Sequence, residues 1–412
     1  MVGGPYPFAT TKMLSSPARA IAPRIRARAP PPVNLPKTRT NHALAPFSSG
    51  YLARASPSMA ASSSVEEEER EEEVARGQGG IGALKGGMVS LSEWQAWGTD
   101  SPLPAMVMEA IKEMKDLEED FGAKMKFGGV GSKIKGTLRV IDDKKKRSVY
   151  KTLDDPEQKL QYFTARQVAC RLLGSKGYLC QKCWLPKEDC MCSRMAPCDL
   201  WRGIRFWLYM HPKDFLRQNN TGKLLWQLFG VRAATMCVYG IPEQEEIMWD
   251  AFKSGGKDKL WILYPNENSS PKSLQDIELD RPFAQENKEK PLNFILLDGT
   301  WSNSSAMYKR LKERWSAIWG EEDLPCISLS SLGASVMHKL RPQPAWDRTC
   351  TAAASAGLLS ELGLREELGG LGFDKQANTI ENSLDILLDA LTKRRLHMGR
   401  SITRKQRHNN CI

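Results

Sequence analysis

The chain predicts an α/β fold: a mostly parallel sheet flanked by helices, with a four-cysteine clip in front of it. Two observations carry this. From about residue 201 onward, short apolar runs alternate with amphipathic segments, as β–α units require. Just before them, Cys180, Cys183, Cys190 and Cys192 read C-x2-C-x6-C-x-C. That spacing lets four thiolates close on one Zn2+. Trp184 to Asp189 form the turn that brings the second pair back over the first. Two disulfides or four free thiols are the alternatives. A closed four-thiolate site is structural in character, so the clip alone names no reaction.

The strand candidates are Ile204–Met210, Thr235–Val238, Leu260–Tyr264, Asn293–Leu297 and Cys326–Leu329, short apolar runs that suit buried strands. The expected helices between and after them are Thr221–Phe229, Glu243–Ser254, Ser302–Trp319, Ala352–Leu362 and Thr379–Leu396. Ahead of the clip, helices are expected over Met106–Phe121 and Pro156–Leu173. The run Lys144 to Arg147 reads most simply as a solvated face, with a phosphate contact as the alternative. No glycine-rich dinucleotide fingerprint or P-loop is present.

Charge needs dividing before it is interpreted. Residues 1–65 hold eight Lys/Arg and no acid, and are rich in Ala, Ser and Pro, the composition of an organelle transit peptide. Residues 66–80 begin with seven glutamates around Arg70 and read as an acidic linker. Of the net +11, residues 1–76 contribute +3 (ten basic, seven acidic), leaving +8 for the rest. That balance is compatible with an RNA partner. The remaining divisions are an extension over 81–175, the clip over 176–200, a catalytic domain over 201–400 and a basic tail over 401–412. The six cysteines outside the clip show no pairing pattern, which fits a reducing compartment. No apolar run approaches membrane-spanning length, so no membrane partner is expected.

Ligands of open parallel sheets bind beyond the carboxyl ends of the strands. Three strand ends here are polar. His211-Pro212-Lys213-Asp214 leads to Asn220-Thr221-Gly222-Lys223, where Asn220 or Thr221 can cap a helix or its amides can meet an anionic ligand. Tyr264-Pro265 makes a turn. Asp298-Gly299-Thr300-Trp301 gathers an acid, a hydroxyl and an indole at a helix mouth; capping by Asp298 and a core Trp301 are the plainer reading. Farther on, Arg341 can clamp a carboxylate or phosphate, and Thr351 opens a helix of small residues.

Taken in order, the clip, His211-Pro212, Asn220-Thr221-Gly222-Lys223-Leu224, Tyr264-Pro265, Asp298-x-Thr300-Trp301 and Leu340-Arg341 before Thr351-Ala352 resemble the DTW-domain family of tRNA-uridine aminocarboxypropyltransferases, over Tyr178 to Leu396. The resemblance implies a knotted, SPOUT-like fold. It implies transfer of the 3-amino-3-carboxypropyl group of S-adenosylmethionine to N3 of a tRNA uridine. Asp298, Thr300 and Trp301 then belong to the reaction site. Asn220, Thr221, Pro265, Trp301 and Arg341 belong to the cofactor site. Two places depart from the family: Ser335 to Arg341 lacks its usual tyrosine and is one residue longer, and Ala353 stands where relatives often have an acid. A SPOUT-type RNA methyltransferase and a non-enzymatic zinc-dependent RNA-binding protein are the competing readings. The leader favours the chloroplast, then the mitochondrion, with nucleus or cytosol if it does not function as a leader.

Overall fold

The structure, a computed structural model, describes residues 89–128, 133–265, 272–277, 290–320, 323–330, 335–340, 348–400 and 402. The leader, the acidic linker, Arg341 and the basic tail apart from Ile402 lie outside the described residues. The front part comprises α1 (Leu91–Ala96), α2 (Ala105–Asp120), the antiparallel pair β1 (Lys126–Gly128) and β2 (Lys133–Lys135), α3 (Thr137–Thr152) and α4 (Pro156–Ser175). After the clip come β3 (Ile204–Met210), α5 (Lys223–Phe229), β4 (Ala234–Val238), α6 (Pro242–Gly255) and β5 (Leu260–Leu263). The chain ends with β6 (Leu292–Asp298), α7 (Trp301–Trp319), β7 (Cys326–Ile327), α8 (Thr351–Gly363) and α9 (Phe373–His397).

The five strands form one sheet in the order β4-β3-β6-β5-β7, every pair parallel. Parallel sheets need cover on both faces, and period-two alternation supplies two apolar faces. Phe206, Leu208, Met210, Phe294 and Leu296 point into one core with α5, α8, α9 and α2. Trp207, Tyr209, Ile295 and Ile262 point into the other, against Trp249 and Phe252 of α6 and Leu311 and Trp315 of α7.

The front helices share the first core through Val107, Ile111 and Met114 of α2 and Val168 of α4. Two ion-pair groups hold them there. Arg310 of α7 is gripped by Glu157 of α4 and by Glu245 of α6, whose carboxylate also accepts from Tyr209 Oη at 2.6 Å. Arg166 of α4 binds Glu113 of α2 at 2.6 Å and the buried Asp142 of α3. The second group is deeply buried, so removing one partner would strand a charge at a cost of about 3–5 kcal/mol.

Each expected strand and helix is present, with shifted ends. Helix α9 begins at Phe373, six residues earlier than periodicity alone indicated. Helix α3 was not expected. Its only buried side chains are Leu138 and Asp142, so it has no apolar stripe for the eye to follow.

Candidate active site

Neighbouring strands β3 and β6 send the chain in opposite directions, to β4 on one side and past β5 to β7 on the other. That makes the crevice beyond their carboxyl ends the sheet's switch point, where open α/β sheets place ligands. A cavity lies there, lined by Asn220, Thr221, Pro265, Asp298 and Trp301, all sequence candidates.

Asp298 ends β6 and is 5% exposed. Its main-chain oxygen accepts from His211 N at 2.9 Å, which locks the tips of β3 and β6 together. One carboxylate oxygen, Oδ1, accepts from Thr351 Oγ1 at 2.8 Å. The other, Oδ2, accepts from Asn220 Nδ2 at 2.5 Å. The Asn220 side-chain oxygen in turn accepts from Lys223 N at 2.9 Å, capping α5. Capping and a place in the site are therefore the same arrangement, because the amide has two unlike ends.

Gly222 makes this approach possible. A Cβ at that position would sit 2.6 Å from Asp298 Oδ2, below any real contact. Its backbone conformation is ordinary (φ −56°); only its lack of a side chain matters. Gly299 has a similar but milder role, facing His211 Cβ at 3.3 Å from an added Cβ.

The plainer reading of Asp298 and Trp301 does not hold. Thr300, not Asp298, occupies the capping position of α7, and its hydroxyl pairs with Ser302 Oγ at 3.0 Å. Thr300 is not among the cavity-lining residues. Trp301 is half-buried at the cavity, with the Arg348 guanidinium 4.4 Å from its ring centroid. The departing stretch at Ser335 forms a short 3-10 turn that turns Met337 into the cavity wall. Sequence reasoning named no site role for Thr351, Asp214 or Met337. Thr351 had a signal, a hydroxyl at the first position of a helix, but its target lies 53 residues away.

His211 is buried beneath the site and stacks on Tyr239 at 5.9 Å. Burial, helped by Lys213, pushes its pKa down to about 4. The neutral ring accepts from Lys213 N through Nδ1 at 3.2 Å.

The clip meets the site through α5. The four sulfurs lie within 4.8 Å of one another, with Cys180–Cys192 at 3.6 Å and Cys183–Cys190 at 3.8 Å. A disulfide would need about 2.05 Å. A tetrahedron of Zn–S bonds of about 2.3 Å has edges near 3.8 Å, so the set is compatible with zinc binding. The sulfurs compete for protons: the Cys192 hydrogen bond holds Cys183 low while the same pairing drives Cys192 up. A dication resolves that conflict by taking all four as thiolates. Trp184 carries the clip inward. It is fully buried at φ +56°, edge-on to Phe215 and 5.9 Å beneath the Lys223 ammonium. Lys223, fully buried, donates to Gln218 O at 2.6 Å, and burial pulls its pKa down to about 7.

No solved structure matches this chain, so its relationships rest on sequence. The DTW domain matches residues 177–396, from the clip to the end of α9. That stretch covers more than half the chain and contains every cavity-lining residue described above. The chain belongs to the DTW domain family, which is associated with tRNA modification.

Proposed function

We propose that this protein is a tRNA-uridine aminocarboxypropyltransferase that takes its 3-amino-3-carboxypropyl group from S-adenosylmethionine, with a structural Zn2+ in the clip. The observation that carries the reading is the switch-point cavity, whose buried acid is held at both oxygens while an indole stands at its mouth. The products are the N3-substituted uridine and 5'-methylthioadenosine. The N3 nitrogen forms a bond to the carbon beside the sulfonium, the C–S bond breaks with its electrons going to sulfur, and N3 gives up its proton.

Positioning is the main task in such a displacement, because alignment alone can remove several kcal/mol of barrier. Asp298, fixed by Asn220 and Thr351, suits the role of acceptor for the N3 proton, as base or as orienting group. Trp301 offers a π face for a sulfonium or a base. Helices α7 and α8 both begin at the cavity, and their amide ends favour the cofactor's carboxylate. Zinc supplies rigidity to the clip and takes no step in the transfer. The composition of residues 1–65 supports a chloroplast location, with the mitochondrion as the alternative.

The test incubates purified protein with tRNA and S-adenosylmethionine labelled separately in the carboxypropyl carbons and in the methyl group. Carboxypropyl label in tRNA is expected, reduced about 10²- to 10⁴-fold by Asp298→Asn. Methyl label instead would make it a methyltransferase, and no label a binding protein.

A further inference from the structure

Helix α3 and the cleft beside it have no part in the site described so far. Of its side chains, six are Lys or Arg and two are Asp. Both acids are already taken. Asp142 is bound by Arg166 and, at 2.5 Å, by Lys146, and Asp143 is bound by Arg139 at 3.5 Å. Among the described residues no acid pairs with Lys144, Lys145, Arg147 or Lys151. The helix therefore presents net positive charge that no acid among the described residues neutralises.

Between α3 and α4 lies a cleft of about 640 Å³, in the range of ligand clefts. Its walls include Tyr150, Tyr162 and Phe163, and its rim includes Arg147, Lys151 and Lys133. Tyr150 is 48% exposed and Phe163 37%. Each of these two rings has an ammonium over it, Lys159 at 5.6 Å from Tyr150 and Lys213 at 5.4 Å from Phe163. Partly exposed aromatic rings interleaved with cations that no described acid pairs with are what a single-stranded nucleic acid needs. Bases stack on the rings and phosphates meet the charges.

Position strengthens the argument. Thr164, next to Phe163, donates to Tyr239 O just beyond β4, so this part of α4 lies along the carboxyl edge of the sheet. Lys213, over Phe163, is followed by Asp214, which lines the active-site cavity. The cleft thus adjoins the site on the same edge.

We propose that the α3–α4 cleft is the RNA grip of this protein: it holds an unpaired stretch of the substrate, a base against Tyr150 or Phe163 and phosphates on Arg147 and Lys151. Lys213 marks the way from there to the cavity. The inference rests on the reading of tRNA as substrate and adds the surface that binds it. Residues 89–175 then belong to the enzyme's substrate recognition, although they lie outside the DTW match.

The experiment measures anisotropy of fluorescein-labelled bulk tRNA with the full chain across a potassium chloride series. It compares wild type with Tyr150→Ala and with the double variant Arg147→Glu/Lys151→Glu, all exposed positions checked for an unchanged thermal melt. The double variant should bind at least about tenfold more weakly, with a salt slope smaller by about two. Tyr150→Ala should weaken binding about five- to a hundredfold with the slope unchanged. Wild-type affinity in both variants overturns the grip while leaving tRNA as substrate. A wild type that binds no tRNA overturns both. Loss of binding to phosphatidylserine vesicles with tRNA affinity intact would assign the cleft to a lipid surface and overturn the proposal.

Discussion

The clip and the cavity are joined by one short helix, yet they are assembled in opposite ways. The clip draws four ligands from thirteen consecutive residues and closes on itself. The cavity draws its central acid from β6 and fastens it with side chains 78 and 53 residues distant. A local cluster can form before the rest of the chain folds, whereas the cavity exists only once the sheet does. The first is therefore a source of rigidity and the second depends on it, through Trp184 beneath Lys223 and Gly222 against Asp298.

Removing the zinc proposed for the clip would break the comparison at its base. A chelator, or Cys183→Ser, should release about one zinc per chain and lower Tm by about 10 °C or more, because structural zinc is folding free energy. Activity should fall with the fold. A zinc-free chain with unchanged Tm would sink the view that the cavity depends on the clip.

Gly222→Ala acts on the cavity alone. The added Cβ must displace the Asp298 carboxylate, and overpacking of this kind costs about 1–3 kcal/mol. If that cost falls on the reaction, transfer drops about ten- to a hundredfold while zinc content stays at wild type. Equal rates for the two proteins would show that Asp298 has room to retreat.

The last effect concerns pH. His211 titrates at about 4 in the folded chain and near 6.5 when unfolded, so the unfolded state takes up the proton first as pH falls. Stability from this group is present above about pH 6.5 and is lost between there and pH 4. The full gap is worth about 3 kcal/mol. Urea unfolding at pH 7 and 4.5 should separate wild type from His211→Gln, the variant losing less; identical losses would refute this role for His211.

Much of this architecture was legible beforehand, for identifiable reasons. Apolar runs such as Phe294 to Leu297 are too short for helices and too apolar for loops, so strand and sheet follow. Asp298 and Trp301 stand together at a strand end, where the chemistry of parallel sheets is found. What could not be read is pairing across distance. Nothing near Asn220 or Thr351 says that both reach one carboxylate, and nothing local says that Gly222 is needed for space. Thr300 shows the same limit: its hydroxyl pairs with Ser302 Oγ at the start of α7, a contact that adjacency to Asp298 does not indicate. Helix α3 was missed because its face is charged; its buried acid, Asp142, is invisible without Arg166.

The two-ended amide of Asn220 has an evolutionary consequence. Aspartate there would set a second carboxylate against Asp298 and lose the donor; serine or alanine would lose one end or both. Glutamine keeps both functions but moves them outward by one methylene. None of these four replacements preserves the capped helix and the tethered acid together at their present spacing.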